Sequence, residues 1–181
     1  MFSKVLDLTV FPDEEQAFNF LYPLFHRDFV AQNVYLADSI YVNPQGQGMR
    51  DGREKVFWHI TTRENKVRVK EGNRYQVITS RPLDPDRAKR IEWVKTILLN
   101  HAHADIKCFY RKETKGKKPI RFYLWAHQQD FVVIVQKLGA SESFLVTCFY
   151  ITEVYKREDY AKWFNEYQSG TNPELQGCEW F

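Results

Sequence analysis

A chain of 181 residues with 44% hydrophobic and 16% aromatic residues is long and apolar enough to bury the core of one domain. Its apolar runs, such as 131–135, fall far short of the roughly 18 residues of a membrane-spanning helix, which excludes a protein built on such helices. The net charge of +3 hides an asymmetry: residues 50–121 hold 20 of the 26 Lys and Arg but 9 of the 23 acids, a surplus of 11. The rest of the chain carries a deficit of 8. Central elements that face a polyanion, flanked by solvated acidic segments, would produce this pattern.

The opening residues reach acidic and polar positions by Asp7 and lack the apolar run of a secretory signal, so a cytoplasmic site is expected. Cys108, Cys148 and Cys178 are odd in number and widely spaced, which suits a reducing compartment better than a disulfide framework. Residues 13–29 show apolar positions at helical spacing, with Pro23 interrupting them. A dense turn signal follows at 43–48. Residues 54–63 alternate as a strand, with Val56, Trp58 and Ile60 on one face and Phe57, His59, Thr61 and Arg63 on the other. Asp84-Pro85-Asp86 combines a capping carboxylate with proline at the first helical position, and predicts a helix over 85–100. Four strands at 105–111, 120–126, 131–137 and 143–151, separated by short turns, predict an antiparallel meander. Residues 156–167 read as a helix, and 170–181 as an irregular end.

The expected fold is therefore α+β, with an N-terminal helical segment, a central helix, an antiparallel meander of four to six strands and a C-terminal helix. One domain spans 1–181, with a helical segment and turn at 1–49, a core at 50–155 and a helix and tail at 156–181.

Two arginines begin where the central helix should show its core stripe. Arg87 shares the face of Ile91, Val94 and Leu98, and Arg90 lies close to it. Side chains lean towards the helix N-terminus, so both guanidiniums reach past the first turn, where planar charged donors suit a phosphodiester. The plainer reading pairs them with Asp84, Asp86 or Glu92. On the expected strand, His59 and Arg63 share a face about 13 Å apart, offering a base near neutral pKa and a cation; a packed histidine is the alternative. Residues 107–121 carry seven basic residues and one acid, and Lys112, Lys115, Lys117, Lys118 and Arg121 are candidates to track an RNA backbone from a hairpin tip. His101-Ala102-His103 with Cys108 fits no common zinc spacing, and no metal or other cofactor is expected. There is no Gly-rich phosphate loop, no Gly-x-Ser-x-Gly and no Cys-x-x-Cys, which argues against P-loop and serine-type chemistry.

Taken together, Phe57-Trp58-His59-Ile60-Thr61-Thr62-Arg63, Arg87-Ala88-x-Arg90-Ile91-x-Trp93 and Phe144-Leu145-Val146-Thr147-Cys148-Phe149-Tyr150 resemble the phage-associated nucleases of the barnase/EndoU/colicin/RelE superfamily. The likeness covers roughly residues 50–155, with Cys148 standing where alanine is usual. It implies a metal-independent toxin-type endoribonuclease with His59 as base or acid, Arg63, Arg87 and Arg90 as phosphate clamp, and Thr147 orienting the phosphate. Tyr150 ranks last, because strict alternation sets it on the opposite strand face from Thr147. The bacterial setting of the family implies RNA as substrate and an acidic antitoxin or immunity protein as partner. Two other readings stand beside it: an RNA-binding or regulatory module without turnover, and an ADP-ribosyltransferase-like enzyme. The last lacks a glutamate within the closing strand, since Glu142 and Glu153 flank it.

Overall fold

The computed structural model describes residues 1–72, 74–114 and 120–177. Helix α1, Glu14–Phe25, is capped by the Asp13 carboxylate on the Gln16 amide and carries Pro23 near its end; a wider π-type turn, His26–Val30, prolongs it. Pro23 lacks the N–H of a regular turn, so the segment bends there without ending. Strands β1, Tyr35–Leu36, and β2, Ile40–Asn43, follow, then a tight hairpin of β3, Met49–Arg50, and β4, Arg53–Glu54, turning on Asp51 and Gly52 at positive φ.

Residues Lys55–Thr61 then form helix α2, where the alternating pattern predicted a strand. Burial decides the matter: Val56, Phe57 and Ile60 are all 2% exposed or less in the same core. A strand would send Phe57 to the face opposite Val56 and Ile60, whereas a helix gathers residues i, i+1 and i+4. Short apolar runs satisfy both periods, and packing chose the helical one.

Strands β5, Asn65–Glu71, and β6, Arg74–Ser80, form a separate antiparallel ribbon that the sequence pattern left unread. The helix expected over 85–100 is broken in two: α3, Pro85–Ala88, capped by the Asp84 carboxylate, and α4, Ile91–Leu99. Arg90, at φ −115° and ψ 20°, leaves helical geometry between them. The meander is present as β7, Ile106–Lys112; β8, Ile120–Ala126; β9, Phe131–Lys137; and β10, Glu142–Tyr150. Helix α5, Val154–Gln168, closes the fold, with the short α6, Pro173–Gln176, beyond it. Among the described residues no helix is long and apolar enough to cross a membrane.

The main sheet has the order β1-β2-β10-β9-β8-β7, antiparallel except where β2 runs parallel to β10. Along β9, Phe131, Val133 and Val135 enter the core beneath α1, α2 and α4, while Val132 and Ile134 enter a second core beneath α5. Burial on both faces explains its continuous apolar run. A bulge at Val146 in β10 shifts the register between Leu145 and Thr147, so that Leu145 and Cys148, three apart, both reach the main core.

Candidate active site

A helix as short as α2 leaves its C-terminal carbonyls without partners inside the helix. Here every one of them finds a donor from another element or from Thr62. The Thr62 amide and hydroxyl both donate to the Trp58 carbonyl. The His59 carbonyl accepts from Arg87 Nη1 at 2.8 Å and from the Thr147 hydroxyl at 3.0 Å. The Cys148 thiol reaches the Ile60 carbonyl at 3.7 Å, and the Asp84 amide donates to Thr61 at 2.9 Å. Arg87 Nη1 also donates to the Thr62 carbonyl at 3.1 Å, and its Nε lies 3.4 Å from the Asp84 carboxylate. Residues from α3 and β10 thus lock α2 in place, and with it the His59 ring.

That ring is half-buried, and its pKa is lowered below the ordinary histidine range. Loss of solvent is the main cause; the charge of Arg81 adds to it, and those of Arg87 and Arg50 follow, against a hydrogen bond to the Val146 carbonyl that favours the proton. The imidazole is held neutral at neutral pH, with the Val146 carbonyl engaging one ring nitrogen. Arg81, largely buried, sits at the foot of the β5–β6 ribbon, where its Nε donates to the Thr62 hydroxyl at 3.2 Å. Its own pKa is lowered by burial first, partly offset by Glu64 and lowered further by Arg50 and Arg87. Glu64 lies 3.8 Å from Arg81 and 2.8 Å from Lys66, and its carboxyl stays below the usual range through Lys66. The cluster is an imidazole among three guanidiniums, each with a carboxylate beside it: Glu64 by Arg81 at 3.8 Å, Asp84 by Arg87 at 3.4 Å and Asp51 by Arg50 at 3.2 Å.

The predicted residues divide between this cluster and a neighbouring cavity of about 390 Å³. His59, Arg87 and Thr147 meet through the His59 carbonyl and not through the imidazole. Arg63, exposed beyond the end of α2, lines the cavity together with Arg87 and Tyr150. Because α2 is a helix, the shared strand face expected for His59 and Arg63 does not exist. Arg90 donates to the Asp86 carbonyl at 2.6 Å and lies 4.1 Å from the centre of the Tyr150 ring. By register Thr147 pairs with Ile134 and Tyr150 with Phe131, on opposite faces of β10 even with the bulge.

The basic hairpin lies elsewhere. Strand β7 is the far edge of the sheet, three strands from β10, roughly 14 Å away. Lys112 is paired with Glu174 at 2.6 Å and Arg121 with Glu113 at 3.6 Å, while Lys115, Lys117 and Lys118 lie outside the described residues. Among the described residues no three His, Cys, Asp or Glu side chains gather as metal ligands.

Arg50, Glu64 and Arg81 are the members of the cluster that sequence reasoning missed. Arg81 and Glu64 become neighbours of His59 only because the ribbon closes on itself, and Arg50 only through the β3–β4 turn. The turn dipeptides Asp51-Gly52 and Gly72-Asn73 were the available signals. The chain matches no protein-family model, and comparison with curated proteins and with solved structures finds no match.

Proposed function

We propose that the chain is a metal-independent endoribonuclease of the toxin type, with His59 as general base. The observation that carries this reading is the His59 imidazole, kept neutral by burial and by Arg81, Arg87 and Arg50. A neutral imidazole can take the proton of a ribose 2′-hydroxyl. The 2′-oxygen then bonds to phosphorus, the bond to the 5′-oxygen breaks, and that oxygen takes up a proton from solvent while His59 later releases its own, leaving a 2′,3′-cyclic phosphate. Arg81 and Arg50 stabilise charge on the phosphate oxygens. Arg87 and Thr147 act as positioning residues, since their polar atoms are spent on the His59 carbonyl. Arg63, with Arg90 acting through Tyr150, shapes the adjoining cavity.

The same engagement of Arg87 and Thr147 favours a second reading, an RNA-binding module without turnover, in which His59 is structural. Under either reading the partners are RNA and, for a toxin, an acidic inhibitor that covers the cationic cluster. Purified protein incubated in EDTA with total bacterial RNA separates the two. The nuclease yields cyclic phosphate ends, and His59→Ala abolishes them; the module binds RNA, yields no ends, and is indifferent to that substitution.

A further inference from the structure

The β5–β6 ribbon is exposed at every residue of both strands, an unusual state for seven paired positions on each side. Two-stranded ribbons are marginal alone, and this one packs no apolar face into either core. Its two faces differ in kind. Partners across an antiparallel pair share a face, so Lys66, Arg68 and Lys70 stand with Thr79, Val77 and Tyr75. The other face carries Val67, Val69 and Ile78, with Glu71 and Arg74 paired at the tip. On the first face three cations follow at every second residue, about 6.8 Å apart along the strand, and Tyr75 stands 71% exposed. Among the described residues only Lys66 of the three has an ion pair, with Glu64. The ribbon springs from Glu64 and returns at Arg81, the two groups beside His59.

The geometry points to the cationic face of this ribbon as an arm that grips the phosphate backbone of single-stranded RNA and feeds it to the His59–Arg81 cluster. The assignment rests on the nuclease reading only for what happens to the strand once it arrives. Alternate cations along a strand can meet successive phosphates of an extended chain, and Tyr75 offers an unpaired base a stacking surface.

The test is fluorescence anisotropy with a labelled, mixed-sequence 2′-O-methyl RNA, which has no 2′-hydroxyl and cannot be cleaved by the proposed route. Affinity is read as a function of salt in EDTA for the wild type, for Lys66→Ala/Arg68→Ala/Lys70→Ala, and for the opposite face as Val67→Ser/Val69→Ser/Ile78→Ser. The triple cation variant should bind at least about tenfold more weakly in moderate salt, with the slope of log K against log salt reduced by about 2. The opposite-face variant should keep both affinity and slope. An unchanged slope in the cation variant overturns the arm, as does an equal loss in the opposite-face variant, which would tie the affinity to the integrity of the ribbon and not to its cations. Because the strand stays intact throughout, a chain that binds as expected and yet cleaves no ordinary RNA would sink the nuclease and leave the arm standing.

Discussion

At the scale of single residues, His59 and Arg87 divide the chemistry of the site between them. The His59 pKa is lowered from 6.5, so the folded state binds its proton less readily than the unfolded chain does. Stability tied to this group is present above 6.5 and is lost as pH falls through 6.5 towards the lower folded value. The same shift sets the activity profile: cleavage should rise with pH through an inflection below 6.5 and stay level above it. Arg81→Ala removes the largest charge acting on the ring and should move that inflection upward, towards 6.5, while lowering the plateau. His59→Ala should reduce the rate by about 10²- to 10⁴-fold. Arg87 answers to a different measurement. Its guanidinium donates to the His59 carbonyl of α2 and to that of Thr62 just beyond it, and faces Asp84, with a side chain only 13% exposed. Arg87→Ala leaves the Thr62 carbonyl without that donor and Asp84 without its cation, while the His59 carbonyl keeps its bond from Thr147, and should cost about 2–4 kcal/mol in urea unfolding. Thr147→Val should cost only about 1 kcal/mol, because the His59 carbonyl keeps its bond from Arg87.

At the scale of elements, the strands of the meander were legible to within a residue or two, because each is a run of apolar and aromatic residues bounded by a turn. The start of the central helix was equally clear, since Asp84 and Pro85 are local signals that no tertiary contact has to supply. Helix α2 was not legible: 56, 58, 60 and 56, 57, 60 are both apolar, and only the burial of Phe57 separates the two periods. The break at Arg90 was hidden too, because the apolar spacing runs on through it. Of the site, His59, Arg87 and Thr147 could be read as candidates, but Arg81 and Glu64 required the ribbon, whose alternation at Lys66-Val67-Arg68-Val69-Lys70 marks a strand without showing that its two ends close beside His59. The ribbon, exposed at every residue of both strands, should open first. In native-state hydrogen exchange the cross-strand amides of β5 and β6 should exchange well before those of β8 and β9, whose strands are buried on both faces. The turn at 43–48 carries a packing demand of its own: a Cβ added at Gly46 would run into the Cβ of Phe144. Gly46→Ala should therefore destabilise by about 1–3 kcal/mol, read as a lower urea midpoint with an unchanged m-value.

At the scale of the whole molecule, one sheet serves two cores, and β10 belongs to both. The main core reaches it through Leu145 and Cys148, and the core under α5 through Val146 and Phe149. Tyr160 is the anchor of the second core. It is 6% exposed, its ring meets Phe109, Tyr123, Trp125, Phe149 and Trp163, and burial raises its phenol pKa above the ordinary range. The residues of α5 around it, Lys156, Asp159 and Trp163, also form one wall of the cavity whose other wall holds Arg63 and Arg87. Docking of α5 and the shape of the site are thus one event mechanically. Tyr160→Ala should cost about 3–5 kcal/mol, as for other large aromatic truncations. If the two cores are coupled through β10, the variant unfolds in a single urea transition at a lower midpoint, followed alike by far-UV circular dichroism and by tryptophan fluorescence. Trp163 and Trp125 lie in the second core and Trp93 in the first, so the fluorescence reports on both. A fluorescence change that precedes the loss of secondary structure would show instead that α5 detaches alone. The His59 cluster would then survive on the main core without its cavity wall.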